Sequence, residues 1–385
     1  MFAINVLIKI KETADFFSDF ILNLITFLQP FFKKDILFFI DKDEKNTELV
    51  DSFSLFEKAL QKGLKAYYII LKTHPSYKKI KSKYKSVVLA YDKNLHIRHF
   101  LKFLRLSKFF TSFGMQNNLH CFFYKNKFID YIFLDHGIIL LKNNIFNIYN
   151  RNEYNKILVS NDYEAKIVKK YGGFEDKNLI KAALPRFDNL KKTHHGYCKS
   201  IFFFFTWRLS FNTVDYKKSM YYKAICELFN DKALISMLRD NNTEINAALH
   251  HALLERNSDF SFCENIKLHS SLDISTLIRK SDMLITDYSS IWSDFFFLNK
   301  PVIFYRPDTH DKNLIQRDIE DMSFAKQSDS LLFNITESRV QLIDMIEKYI
   351  KKNFELEEEF RTIQDKFFYT KENIREKILK ELGCL

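Results

Sequence analysis

The densest group of chemistry-bearing side chains is Thr286-Asp287-Tyr288-Ser289-Ser290, inside the run from Ser281 to Asp308. Met283 to Thr286 reads as a short buried strand, and the hydroxyl-rich turn after it opens a helix near Ser289. The first N–H groups of a helix lack intrahelical partners, and the dipole there favours anions. Serine and threonine hydroxyls add donors, so such a turn can cradle a diphosphate without a glycine-rich loop. By spacing alone, Asp287 and Ser289 serve as helix caps at least as readily. Asp294 lies four residues beyond Ser290, and Asp308 follows the apolar strand Pro301–Tyr305, where it starts a turn or reaches toward a ligand.

Two histidine positions could move or oppose charge beside such an anion. His136 follows the strand-like Tyr131–Leu134 and precedes Gly137, whose missing side chain permits a close approach to the backbone. A histidine titrates near neutrality and so suits proton abstraction, although a lone histidine serves structure as readily. Its neighbour Asp135 need not touch it, because adjacent strand residues point to opposite faces. His250, with His251 beside it, could oppose negative charge on a leaving group. Arg208, beyond the Phe-rich strand Ser200–Phe205, offers a planar donor fork that fits phosphate or carboxylate, and Arg186 stands in the turn Leu184–Asp188. His74-Pro75 reads as a strand-end turn. His194-His195 has no metal-ligand spacing, and no metal site is expected.

The elements that must position these residues alternate in type. Continuous apolar runs at 35–40, 66–71, 87–90, 108–112, 131–134 and 156–160 read as buried parallel strands. A helix from about 49 to Gly63 and another from Asp162 to Tyr171, closed by Gly172-Gly173, lie between them. The polar stretch Asn189–Gly196 is a linker. Beyond it come strands at 200–205, 266–268, 283–286 and 301–305, helices near 218–239 and 244–256, and a charged helical tail. The expected fold is therefore α/β: two Rossmann-like doubly wound domains facing a cleft, of the glycosyltransferase B type. The divisions are 1–34, an amphipathic N-terminal helix; 35–190, the first domain; 199–350, the second; and 351–385, C-terminal helices. In the N-terminal helix Phe17, Phe20, Ile21, Leu24, Phe27, Leu28 and Phe31 recur at helical spacing, for packing on the body or lying in a membrane interface. Asp19, Asn23, Gln29 and Pro30 interrupt the stretch, which is too short and polar to span a bilayer.

Bulk properties exclude more than they choose. At 385 residues the chain exceeds what one core usually fills. The net charge of +11 fits an anionic lipid surface or a phosphate-bearing substrate, but no nucleic-acid module is present. Five scattered cysteines without a CxxC pair argue against disulfides and structural zinc, and fit a reducing cytoplasm. Walker, Gly-x-Gly-x-x-Gly and Gly-x-Ser-x-Gly patterns are missing, which disfavours NTPase, dinucleotide and hydrolase chemistry.

Taken in order, several segments resemble the CDP-glycerol glycerophosphotransferase family of teichoic-acid and capsule polyol-phosphate transferases. They are Phe133-Leu-Asp-His-Gly137, Val159–Glu164, Leu184-Pro-Arg-Phe-Asp188, Phe205-Thr-Trp-Arg208, and Asp287-Tyr-Ser-Ser290 with Asp294 and Asn299-Lys-Pro-Val-Ile-Phe-Tyr305. Asp135, Leu184 and Phe205 depart from the family's usual Gln or Trp, Gly and Pro, and His250 lacks a following proline. The resemblance implies transfer of a polyol phosphate, glycerol phosphate by preference, from a CDP-linked donor to a hydroxyl of a lipid-linked or capsular glycan, with CMP released. It implies His136 and His250 as catalytic residues. It implies Gly137, Arg186, Arg208, Thr286, Asp287, Ser289, Ser290, Asp294 and Asp308 around the substrate, with no cofactor beyond the CDP-polyol itself. A cytoplasmic protein peripheral to the inner membrane face is expected. The alternatives are a nucleotide-sugar glycosyltransferase of the same fold and a non-enzymatic, basic membrane-surface or nucleic-acid-binding protein with a degenerate site.

Overall fold

The computed structural model of the chain describes residues 19–40, 51–91, 94–112, 126–135, 137–138, 153–190, 199–206, 215–249, 265–269, 274–309 and 334–385. Two all-parallel sheets organise it. The first has seven strands in the order β3-β2-β1-β4-β5-β6-β7, and the second has six in the order β10-β9-β8-β11-β12-β13. The first sheet comprises β1 (Ile36–Ile40), β2 (Lys65–Leu71), β3 (Val88–Tyr91), β4 (Leu106–Thr111), β5 (Asp130–Phe133), β6 (Lys156–Val159) and β7 (Leu179–Lys181). The second comprises β8 (Lys199–Phe205), β9 (Thr243–Leu249), β10 (Ile266–His269), β11 (Met283–Thr286), β12 (Val302–Tyr305) and β13 (Ile335–Thr336). Each order reverses once, between β1 and β4 and between β8 and β11. In open α/β sheets ligands bind beyond the strand C-termini at that reversal.

The helices are α1 (residues 19–28), then α2 (Asp51–Gln61), α3 (Tyr77–Lys83), α4 (Leu95–Arg98), α5 (Phe100–Leu104) and α6 (Asp162–Gly172). The second half carries α7 (Met220–Phe229), α8 (Lys232–Asp240), α9 (Ile274–Lys280) and α10 (Trp292–Phe297). The tail forms α11 (Arg339–Lys351), α12 (Glu358–Phe367) and α13 (Ile374–Glu381). Gly63 and Gly173 adopt left-handed φ angles of 74° and 70° just past α2 and α6, where only glycine avoids Cβ strain.

Strands with continuous apolar runs form where the pattern places them, because burial on both faces leaves no polar alternation to keep. Four elements differ from expectation. The segment read as a helix at 244–256 is the strand β9 up to Leu249, and residues 250–264 lie outside the described residues. Its two alanines favour a helix locally, but pairing with both β8 and β10 overrides them. Strands β7 and β13, of three and two residues, are too short to show a period. The N-terminal helix packs through only part of its expected stripe, Ile21 and Leu28, together with residues outside it. Leu22 and Ile25 enter the core, and the buried Gln29 donates to the Phe103 and Leu106 carbonyls at 2.8 and 3.4 Å. Phe20, Phe27 and Phe31 remain 55%, 71% and 78% exposed. The helix is apolar on opposite sides, and the aromatic side is turned outward.

The two halves share a core. One apolar cluster runs from Phe39 and Phe110 in the first sheet through Phe187 to Phe204, Trp292 and Phe304 in the second. Phe187 stacks on Phe297 with centroids 4.5 Å apart, and Phe368 meets both edge-on at 5.7 and 5.6 Å. Such pairs add about 0.5–1.5 kcal/mol each beyond area burial. The tail crosses back: Asp188 accepts from the N–H groups of Ile374 and Arg375 at the start of α13, at 2.9 and 3.0 Å.

Candidate active site

The turn after β11 lies at the reversal point of the second sheet. Asp287 is fully buried, and its two carboxylate oxygens accept from the Thr206 N–H at 3.0 and 3.1 Å; one also accepts from the Tyr288 N–H at 2.6 Å. The ends of β8 and β11 are thus tied by one carboxylate. The buried Thr286 Oγ1 donates to the Phe204 carbonyl at 2.5 Å. Both side chains are committed to strand ends: a carboxylate cannot donate to a phosphate, and this threonine hydroxyl has spent its proton.

The helix that was to begin near Ser289 begins at Trp292, with Ile291 at its N-cap and no side-chain cap bond. Asp287 therefore caps no helix, and Ser289 Oγ only accepts from the Ile291 N–H at 3.4 Å. The Ser290 carbonyl closes the turn by accepting from Ser293 N–H and Oγ at 3.1 and 2.8 Å. The N–H groups of Ser289 and Ser290 have no hydrogen-bond partner among the described residues. Donors suited to an anion therefore concentrate on these two serines.

Across from this turn stands the end of β5. Leu134 N–H donates to the Thr111 carbonyl at 2.7 Å, and the next residue, the buried Asp135, has a left-handed φ of 59°. The strand ends at Phe133 and the chain bends at Asp135, so the alternation of a strand does not carry on through that residue. A Cβ added to Gly137 would overlap Ser290 Oγ and lie 2.6 Å from Ser290 Cβ. The glycine is required because a serine of the other half fills the space a side chain would need.

Arg186 and Asp294, both expected around the substrate, meet one another. Arg186 Nε and Nη2 donate to the two oxygens of Asp294 at 3.0 and 2.8 Å, and Nη1 donates to Asp51 at 2.6 Å. Burial works against the charge, but Asp294 and Asp51 outweigh it and hold the guanidinium protonated well above its usual range. The Arg186 fork that suits phosphate is thus engaged by carboxylates.

Asp308 is fully buried beyond β12, and Lys300 in the Asn-Lys-Pro segment is structural: its ammonium donates to the carbonyls of Ile278, Arg279 and Ser281 at 2.9, 2.8 and 2.6 Å, closing the C-terminus of α9. His136, Arg208 and His250 lie outside the described residues. In the chain, Arg208 comes three residues after β8, His136 three after β5, and His250 directly after β9, so each follows a strand C-terminus. The expected linker beyond Leu190 lies outside the described residues as well.

Two residues near the site were missed. Asp51, at the head of α2, is 135 positions from the arginine it binds, and nothing local marks it. Arg306 is buried behind the serine turn, its guanidinium 4.8 Å from the Tyr288 ring centre. Its signal was present: an arginine directly after a buried strand is out of place in a core. Among the described residues no group of histidine, cysteine and acidic side chains could hold a metal ion, and no helix is long and apolar enough to cross a membrane.

Two Rossmann-like halves with facing strand ends define the glycosyltransferase B architecture, and solved structures bear this out. The wall teichoic acid polymerase TagF superposes with a TM-score of 0.66 at 17% identity, over 98% of this chain and 96% of that one. A UDP-GlcNAc 2-epimerase from Neisseria meningitidis reaches 0.55 at 10% identity, over 90% and 99%. The chain belongs to the CDP-glycerol:poly(glycerophosphate) glycerophosphotransferase family, whose model matches residues 21–382. It is 29% identical over 377 residues to the minor teichoic acid biosynthesis protein GgaB of Bacillus subtilis (strain 168), covering 90% of this chain and 39% of that protein. A 174-residue stretch is 31% identical to the teichoic acid glycerol-phosphate primase of the same strain, 43% of this chain and 42% of the primase. The chain thus spans well under half the length of these curated relatives.

Proposed function

We propose that this chain transfers a polyol phosphate, glycerol phosphate by preference, from a CDP-linked donor to a hydroxyl of a cell-envelope glycan. The observation that carries the reading is the seating of Gly137 against Ser290, which puts the residue after His136 beside the serine turn at the second sheet's reversal point. The family membership supplies the donor class.

In this mechanism the Ser289 and Ser290 hydroxyls and N–H groups hold the donor's diphosphate, with Arg208 adding charge from the end of β8. His136 takes the proton from the acceptor hydroxyl as its oxygen attacks the phosphorus that carries the polyol. The bond from that phosphorus to the bridging anhydride oxygen breaks, and CMP departs with the charge, opposed by His250. Thr286 and Asp287 act one step back by holding the strand ends, and Asp308 shapes the floor near the nucleotide. The residues suffice for positioning and charge stabilisation without a cofactor.

The acceptor in this account is a lipid-linked or capsular glycan, reached at the cytoplasmic membrane face. The exposed Phe20, Phe27 and Phe31 with Lys33 support docking to an anionic bilayer. Replacing the three phenylalanines with serine should abolish most sedimentation with phosphatidylglycerol vesicles, and unchanged sedimentation would refute the docking surface. The reaction is tested by offering CDP-glycerol, CDP-ribitol and nucleotide-sugars with a glycan acceptor and identifying the nucleotide released. CMP from a CDP-polyol supports the proposal; a nucleoside diphosphate from a nucleotide-sugar assigns the chain to glycosyl transfer instead.

A further inference from the structure

We propose that the bridge Asp51–Arg186–Asp294 is a positioning element that sets the two strand ends against each other, and that Arg186 and Asp294 act through it and not as substrate ligands. This rests on the function proposed above.

The bridge joins three segments far apart in sequence. Asp51 opens α2 in the first half, Arg186 lies in the 3-10 turn Pro185–Asn189, and Asp294 lies on α10 in the second half. Asp51 and Asp294 are almost completely buried, with side chains 1% and 3% exposed. Asp51 also accepts from the Arg186 backbone N–H at 3.1 Å, which fixes the turn as well as the guanidinium. All three guanidinium nitrogens donate to carboxylate oxygens.

The bridge leads directly to the site. Asp294 N–H donates to the Ile291 carbonyl and Ser293 donates to the Ser290 carbonyl, so Asp294 is locked to the turn that presents Ser290. Ser290 in turn packs on Gly137. The same 3-10 turn carries Phe187, stacked on Phe297, and Asp188, which holds the start of α13 and receives Arg375 Nε at 3.0 Å. One turn therefore gathers both halves and the tail, and Arg186 is its charged contact with Asp51 and with Asp294. A misplacement of about 1 Å between reacting groups can cost about a hundredfold in rate.

The test compares wild type with Arg186→Met, Arg186→Lys and Asp51→Asn. Three quantities are read: CDP affinity by calorimetry, CMP release from CDP-glycerol, and hydrogen exchange at residues 51–61 and 292–297. A positioning role predicts that Arg186→Met lowers kcat about tenfold or more, leaves the CDP Kd within about twofold, and speeds exchange in both segments. Lysine should restore part of kcat, and Asp51→Asn should shift kcat in the same direction by less. A CDP Kd that weakens in proportion to the lost rate would make Arg186 a phosphate ligand and overturn the proposal. Unchanged rate and exchange in a folded variant would overturn it too. If Arg186→Met does not fold, Asp51→Asn is judged by the same criteria. If wild type releases no CMP, the proposed reaction fails, while exchange without substrate still decides whether the bridge joins the halves.

Discussion

The two strand ends that face each other are built in opposite ways. The end of β11 is over-determined: Asp287 satisfies N–H groups of Thr206 and Tyr288, and Thr286 bonds back to Phe204. At the end of β5, Leu134 N–H donates to the Thr111 carbonyl, and the chain continues into a buried aspartate in a left-handed conformation and a glycine pressed against Ser290. One side is tied across two strands by side-chain bonds. The other meets that turn through Gly137. In the proposed reaction the tied end fixes the donor and the β5 end brings the acceptor side against it.

The largest effect should come from the contact itself. Gly137→Ala places a methyl within 2.6 Å of Ser290 Cβ and should reduce CMP release by about a hundredfold. Adding Ser290→Gly should restore the melting temperature without restoring the rate, since the hydroxyl is gone. Recovery of both would mean that Ser290 serves packing alone.

On the rigid side, Asp287→Ala strands two N–H groups and should cost about 3 kcal/mol in denaturant unfolding, whereas Asp287→Asn, which keeps one acceptor oxygen, should cost about 1 kcal/mol. Equal costs would show that charge matters more than the two bonds. Lys300→Met removes the donor to three carbonyls and should destabilise by about 2 kcal/mol, while CDP affinity stays unchanged.

The smallest effect is in acid. Glu376 on α13 bonds to Lys62, just past α2, and to Lys380, which holds its carboxyl down at about 2 from an ordinary 4.5. A depressed carboxyl contributes fully above its unfolded value and loses that contribution as pH falls through the folded one. The protection of α13 amides, relative to their intrinsic exchange rates, should therefore fall between about 4.5 and about 2, and salt should shrink the effect because the pair is open to solvent. A flat profile would mean that the Glu376 pairs contribute nothing to docking the tail.

Much of the architecture was legible in sequence because buried parallel strands are written as unbroken apolar runs, from Ile36–Ile40 to Val302–Tyr305. β9 was misread because Ala247 and Ala248 carry no strand signal of their own, and its pairing to β8 and β10 is non-local. The aromatic face of α1 was legible as a stripe, but its direction was not, since Leu22 and Ile25 offered a second apolar face. The serine turn was found from its hydroxyls. The tasks of Thr286 and Asp287 were not, because their partners Phe204 and Thr206 lie 82 and 81 residues earlier. Asp51 was invisible for the same reason.

The account is tested most directly by CMP release from CDP-glycerol in wild type and His136→Ala, with CDP-glycerol affinity measured on both. The account predicts that wild type releases CMP, and that the variant binds the donor within about twofold of wild type yet loses about a hundredfold or more in rate, the range general-base catalysis supplies. A His136→Ala enzyme that releases CMP at the wild-type rate would contradict it.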